Sequence, residues 1–319
     1  LPNLNSQPYI ASRMESILDQ TFPDWELIVI DSYSSDGSWE YLQNLGAQDE
    51  RIKLYRSEKK GIYVNFNKCI QHAEGEYIYF AMSDDTMKPD CINKLVLALD
   101  EFSQCDLAHC KLEIIDEDND CCSNRWDDFF IIKYFGDLIN KKHIRLAPHD
   151  AFLHFSGMTV YTSLTQILIR RILIDTIGVF STRYDSFSDF EWIMRATLVA
   201  NTIHIPEYLA TWRVHKDQAT SHLKIEKAKA LGLFLRMANH VIDGTKEIDS
   251  TLHKILKKPE WRYILKKEKF YYELKFAGSK LKSLWILFKR LGIHPKLVFE
   301  FLNKYRSGTR GFISQEHFL

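Results

Sequence analysis

Several absences narrow the chain before any motif is read. No apolar run approaches the roughly 20 residues that a membrane-crossing helix needs, and no charged-then-apolar leader opens it. Both point to a protein that is soluble or peripheral to a membrane. The six cysteines form no Cys-x-x-Cys pair and no spacing typical of zinc, so they read as ordinary thiols in a reducing, cytosolic setting. Net charge is also missing: 42 basic residues balance 42 acidic ones, so overall charge identifies no partner. There are no internal repeats and no low-complexity linker.

What is present is a chain of 319 residues, long enough for a substantial core and suited to one large domain or a domain with an appendage. Its charge is unevenly spread. Residues 251–319 carry 16 Lys or Arg against 5 Asp or Glu, so the acidic residues gather in the first two thirds. The block 254–306 reads as basic amphipathic helix, either solvated and packed by its apolar side or attached to an anionic membrane surface. No recognised nucleic-acid module accompanies the charge, so nucleic acid is not expected as a partner.

Strand-like and helix-like segments alternate in the first part. Ile10, Met14, Ile17 and Leu18 fall at helical spacing, 25–31 is a continuous strand, and Trp39, Leu42 and Leu45 resume helical spacing. A short strand over 52–55, a helix over 64–73, a strand over 77–82, a helix after Pro89 and a strand over 106–115 follow. This alternation predicts an α/β fold, a mostly parallel sheet flanked by helices. Residues 116–156 are polar, aromatic and irregular, as an active-site loop or a partner-facing insertion would be. A boundary is expected near Leu223, with a mostly helical region over 224–319.

Chemistry concentrates at strand ends. The apolar run 77–82 stops at Ser83-Asp84-Asp85. Two adjacent anions there either cap a turn or require a divalent cation to stay ionised. Asp31 ends the strand over 25–31, where an acid can accept a donor from a base or ribose, while Ser35 or Asp36 caps the next helix. Arg213 and His215, two apart on an extended segment, point to one face, as a diphosphate or its metal would require. Glu191 and Arg195 stand four apart and suit a helical ion pair, and Ser188 with Glu191 matches a capping box. The acidic run 116–120 starts like a calcium loop but has Cys121 where that loop needs Gly, so it reads as a solvated turn.

Taken in order, these motifs resemble a known family. Pro2-Asn3-Leu4-Asn5, Ser16-Ile17-Leu18-Asp19-Gln20-Thr21-Phe22, Glu26-Leu27-Ile28-Val29-Ile30-Asp31 and Ser35-Asp36-Gly37-Ser38 are similar to the opening of the family 2 inverting glycosyltransferases of GT-A fold, of the bacterial surface-polysaccharide type. Gly61-Ile62-Tyr63, Asn67-Lys68, Glu74-Gly75-Glu76-Tyr77-Ile78 and Ser83-Asp84-Asp85 with Pro89 continue the series. Ser188-Asp189-Phe190-Glu191-Trp192, Ile205-Pro206 and Arg213-x-His215-x-x-Gln218 resemble the acceptor-side half. The resemblance covers residues 1 to about 222.

It implies a GT-A domain over 1–223 and roles for particular residues. Pro2, Asn3 and Asp31 would hold the nucleoside of a UDP-, GDP- or dTDP-linked sugar, with Ser83, Asp84 and Arg213 completing the donor site. Asp84, Asp85 and His215 would hold Mg²⁺ or Mn²⁺ against the diphosphate. Asp189 would be the base that takes the proton of a glycan or lipid-linked acceptor, and the expected setting is the cytoplasm or the inner face of its membrane. The chain departs from the family's pattern at Met82, where the first acid of Asp-x-Asp is usual, at Cys69 in place of Gly, and at Val64 in place of Asp. The family's first strand would precede Pro2, so a truncated chain is expected. The missing first acid at Met82 and the missing first strand favour the alternative of a non-catalytic nucleotide-binding or docking module.

Overall fold

A computed structural model describes residues 1–257 apart from 123–125, 130–131, 133–134, 156–158, 217 and 219–226. The chain divides into two units, Leu1–Ala151 with Met158–Leu223, and Phe152–Gly157 with Lys224–Leu319. The expected boundary residue Leu223 and most of the basic block 254–306 lie outside the described residues.

In the first unit, β1 (Pro2–Asn3), β2 (Leu27–Asp31) and β3 (Ile52–Arg56) form a parallel sheet. All five residues of β2 are buried, as a continuous apolar run in a parallel sheet requires. Helices α1 (Gln7–Leu18), α2 (Ser38–Gly46) and α3 (Ile62–His72) connect these strands and lead onward. The register sets Asn3 beside Asp31 and Asp31 beside Arg56, so three polar side chains meet at the carboxyl ends of three strands.

The second sheet has the order β4-β7-β5-β8-β6, from β4 (Tyr77–Tyr79), β5 (Cys105–Ile115), β6 (His143–Arg145), β7 (Ile167–Arg170) and β8 (Asn201–Arg213). Only β5 and β8 pair in parallel there, and β6 and β7 join antiparallel. This sheet is therefore mixed, because two short strands drawn from 143–170 fill positions that helical crossovers would otherwise define. Between the sheets, Leu27, Ile28, Tyr77 and Tyr79 line a cavity of about 750 Å³. The Arg13 guanidinium on its wall has no hydrogen-bond partner among the described residues.

The strand expected over 77–82 stops at Tyr79. The chain then leaves β4 for β8: the Thr211 N–H bonds the Thr86 carbonyl at 3.0 Å, and the Lys88 N–H bonds that of Leu209 at 2.8 Å. That crossing turns Asp84 and Asp85 toward the end of β8. Helix α4 (Cys91–Glu101) follows, and buried Gln20 fastens it, accepting from the Ile92 N–H at 3.0 Å and donating to the Lys88 carbonyl at 2.7 Å.

Helices α5 (His149–Phe155), α6 (Arg171–Ile177) and α7 (Ser188–Val199) complete the first part of the chain, with α5 spanning the division between the units. The second unit contains α8 (Lys227–Ile248) and α9 (Ser250–Leu256), where the Thr245 hydroxyl and the His253 ring meet at 3.0 Å. Among the described residues no helix is long and apolar enough to cross a membrane.

Candidate active site

The Asn3, Asp31 and Arg56 row is densely bonded. The Asn3 amide donates to Asp31 Oδ1 at 2.8 Å, the Ser34 hydroxyl donates to the same oxygen at 2.6 Å, and the Ser34 N–H reaches Oδ2 at 3.1 Å. Arg56 Nε lies 3.4 Å from Asp31 Oδ2. Asp31 and Asn3 are buried, and Pro2 is buried beside them. The carboxylate of Asp31 thus holds together the loop after β2 and the Arg56 side chain. Nearby, the Asn65 amide donates to the Ser32 hydroxyl at 2.7 Å and ties α3 to the same loop.

Asp84 and Asp85 part company. His215 Nε2 lies 3.0 Å from Asp84 Oδ2, so residues 131 positions apart form one pair. Asp85, expected to share a metal with Asp84, instead turns inward: its carboxylate accepts from the Arg213 N–H at 2.9 Å and from the Ser163 hydroxyl at 3.1 Å, with the Thr165 hydroxyl at 3.4 Å. Burial, with the Asp84 charge adding to it, pushes Asp85 up to about 7. The buried carboxyl serves as a bracket between β8 and the Ser163–Gln166 capping box. Ser83 is half-buried in the preceding turn.

Arg213 differs from its expected role at the diphosphate because its guanidinium is taken up inside the protein. Nε donates to the Asp84 carbonyl at 2.8 Å, Nη1 to the Asp116 carbonyl at 2.7 Å, and Nη2 to Asn119 Oδ1 at 2.6 Å. The acidic turn that starts like a calcium loop thus converges on a guanidinium. Asn119, at φ 70°, adopts the left-handed conformation that Asn tolerates best among non-glycine residues. Tyr9 of α1 packs on both partners, its ring centroid 4.7 Å from the His215 ring and 5.1 Å from the Arg213 guanidinium.

Asp189 sits in the first turn of α7. The expected capping box is absent: Phe187 occupies the N-cap, the Ser188 hydroxyl has no hydrogen-bond partner among the described residues, and Glu191 pairs with Arg195 at 2.9 Å. Asp189 Oδ1 accepts the Phe190 N–H at 2.7 Å, and the Tyr63 hydroxyl nearby lowers the proton affinity of the same carboxyl. Dense enclosure by protein nevertheless pushes it up to about 6. An aromatic cluster brings this helix to the segment that carries Asp84. Phe80 packs against Trp192 at 5.6 Å, against Phe180 at 5.2 Å and against Phe66 of α3 at 5.9 Å.

Sequence reading assigned no role to Tyr63, although it lies in the Gly61-Ile62-Tyr63 motif, and missed Tyr9, Ser163 and Thr165. None has a local signal beyond its type; each acts through a partner far along the chain. The Asp84 and His215 pair has the composition of a divalent-cation site, one carboxylate oxygen and one imidazole nitrogen, suited to Mn²⁺ and acceptable to Mg²⁺. Among the described residues no group of three or more His, Cys, Asp or Glu converges, so water and phosphate oxygens would supply the remaining ligands.

Comparison with known proteins finds similarity in sequence and in fold. EpsH of Bacillus subtilis, named as a glycosyltransferase, is 27% identical over 255 residues, which is 77% of this chain and 71% of that protein. TuaG of the same organism, named for teichuronic acid biosynthesis, is 40% identical over 94 residues, covering 29% of this chain and only 37% of TuaG. The crystal structure of S. aureus TarS 1-349 in complex with UDP superposes with a TM-score of 0.55 at 17% identity, over 98% of this chain and 93% of that one, which establishes the GT-A fold. Residues 1–155, just under half of the chain, match the model of glycosyl transferase family 2, and this region is similar to that family.

Proposed function

We propose that this chain transfers a sugar from a nucleoside-diphosphate donor to a glycan or lipid-linked acceptor, with inversion and metal assistance, in the assembly of a bacterial surface polysaccharide. The observation that carries the reading is Asp189: an enclosed carboxyl beside Tyr63, joined through Phe80 and Trp192 to the segment bearing the Asp84 and His215 pair. A base near 6 is ionised at neutral pH yet retains more proton affinity than an ordinary carboxylate.

In this reading the acceptor oxygen bonds to the anomeric carbon as the bond from that carbon to the diphosphate oxygen breaks. The acceptor's proton moves to Asp189, while Tyr63 keeps the carboxylate oriented. Asp84 and His215 would hold Mg²⁺ or Mn²⁺, which when bound neutralises charge growing on the leaving diphosphate. Asp31 and Asn3 shape the nucleoside end, Pro2 lines it, and Ser83 stands at the diphosphate. Arg213 and Asp85 act by holding the Asp84 backbone and β8 in place. The match to TuaG supports a cell-envelope glycan as product, and the basic block 254–306 is proposed to contact the membrane that carries a lipid-linked acceptor.

The test is turnover of UDP-, GDP- and dTDP-sugars, followed as nucleotide release, with Mn²⁺ and with chelator. Donor-specific release that stops with chelator and in Asp84→Ala supports the proposal. Tight nucleotide binding without turnover of any donor would instead assign the chain as a non-catalytic module.

A further inference from the structure

The loop after β2 holds a residue that the packing does not explain. Tyr33 has φ 57°, in the left-handed region, where a bulky aromatic residue is strained. Such a conformation persists when a site needs the side chain there. Yet the Tyr33 side chain is not buried: it is 60% exposed, and it is the one aromatic among the exposed large apolar residues described. A strained residue normally disappears by drift to Gly, Asn or Asp unless its side chain is used.

Its surroundings are organised. The Arg56 guanidinium lies 5.1 Å from the Tyr33 ring, 4.3 Å from the Trp39 ring and, through Nε, 3.4 Å from Asp31. Asp31 and Trp39 already hold Arg56 from two sides, so the exposed ring of Tyr33 is not needed to anchor it. Asp31 is itself buried and engaged by Asn3, Ser34 and Arg56, which leaves it little capacity to read a base directly. The surface offered at the carboxyl ends of β1, β2 and β3 is therefore an aromatic face backed by a cation. This is the end of an open α/β sheet where nucleotides bind.

We propose that Tyr33 is the platform on which the donor's nucleobase stacks, with Arg56 holding the ring from behind and Asp31 acting as the positioning residue for Arg56. The inference rests on the nucleotide-sugar reading above. Stacking is available to any base because every base has a π-face, so Tyr33 supplies affinity for the nucleoside and does not discriminate uracil from guanine.

The experiment is isothermal titration of the full chain with UDP, GDP and inorganic diphosphate, each with Mn²⁺, together with thermal unfolding of the same samples. In Tyr33→Gly, UDP and GDP should bind about 5- to 150-fold more weakly while inorganic diphosphate is unaffected, since base stacking on an aromatic is worth about 1–3 kcal/mol. The unfolding temperature should not fall, because glycine adopts φ 57° without strain. Tyr33→Phe, which keeps the ring, should restore most of the lost affinity. Unchanged UDP and GDP affinity in Tyr33→Gly overturns the inference. So does a loss shared equally by inorganic diphosphate or accompanied by a fall in stability, which would make Tyr33 a structural cover for Arg56. A wild-type chain that binds neither nucleotide overturns the donor reading itself, and this inference with it.

Discussion

Tyr63, in the first turn of α3, lies beside Asp189, in the first turn of α7, and its hydroxyl favours the ionised carboxylate, so two helix starts 126 residues apart act on one proton. Two effects oppose each other at this carboxyl. Enclosure raises its proton affinity, whereas the Tyr63 hydroxyl and the Phe190 N–H lower it; enclosure wins, leaving it at about 6.

Asp189→Asn keeps size and hydrogen-bond acceptance but cannot take a proton. Transfer in single-turnover assays should fall by about 10²-fold or more, with nucleotide affinity nearly unchanged. The sign for stability follows from linkage. A carboxyl raised from its unfolded value of 3.8 to about 6 stabilises the fold below 3.8, and that contribution is lost as pH rises through 6. At pH 8 the Asn variant should therefore unfold at the same temperature as wild type or higher. A helix-terminus anion alone would give the opposite result, a loss of about 0.3–1 kcal/mol with turnover intact.

Tyr63→Phe removes the hydroxyl beside Asp189. The acid limb of kcat/KM against pH should move upward, because without the hydroxyl that favours the carboxylate the group holds its proton to higher pH. An unmoved limb would separate Tyr63 from the base.

His215 and Asp84, 3.0 Å apart, are expected to act as the protein's ligands to the cation. His215→Ala should weaken Mn²⁺ binding, read by titration calorimetry in the presence of UDP, by about 10-fold or more. Equal Mn²⁺ affinity in the variant would remove the imidazole from the metal site.

Arg213→Lys keeps the charge but loses the planar fork that spans the Asp84 and Asp116 carbonyls and Asn119 Oδ1. Denaturant unfolding should show a loss of about 2 kcal/mol or more, since a lysine cannot serve three separate acceptors in that geometry. Wild-type stability with weakened diphosphate binding would return Arg213 to its sequence-expected place in the donor site.

Between β5 and β8, His109 Nδ1 and His204 Nδ1 meet at 3.0 Å, while His204 Nε2 lies 2.9 Å from the Ile139 carbonyl and Gln166 Nε2 lies 3.3 Å from His109 Nε2. A carbonyl only accepts, so His204 carries its proton on Nε2, while His109 Nε2 faces both Gln166 Nε2 and, at 3.3 Å, the Val160 carbonyl. Burial depresses His109 well below its ordinary range and His204 to about 3. Groups depressed in the fold stabilise it above the unfolded value near 6.5 and lose that contribution as pH falls. In His204→Gln, the change in stability between pH 6 and 5 should differ from wild type by about 1.4 kcal/mol per pH unit, the variant being less sensitive to acid. Parallel pH profiles for the two proteins would refute this.

Much of the architecture follows from order along the chain. The continuous apolar run of β2, the helical spacing of Ile10, Met14 and Ile17, and the sequence of acidic strand ends are local patterns, and local periodicity survives whatever the rest of the molecule does. The family resemblance is of the same kind, an ordered series of short segments. Partnership is different. Asp84 and Asp85 are neighbours with the same side chain, yet one faces His215 and the other is buried against Ser163 and Arg213, since the chain crosses from β4 to β8 between Tyr79 and Lys88. Ser188 and Glu191 match a capping box in sequence, but the Arg195 charge four residues on competes for Glu191 and wins. The acidic types, their order and the strand tips that bear them were thus determined by the sequence itself. Which carboxyl meets imidazole, which is buried and which lies beside Tyr63 was decided only when segments 78 to 131 residues apart packed together, because burial and hydrogen-bond partners depend on tertiary distance and not on spacing along the chain.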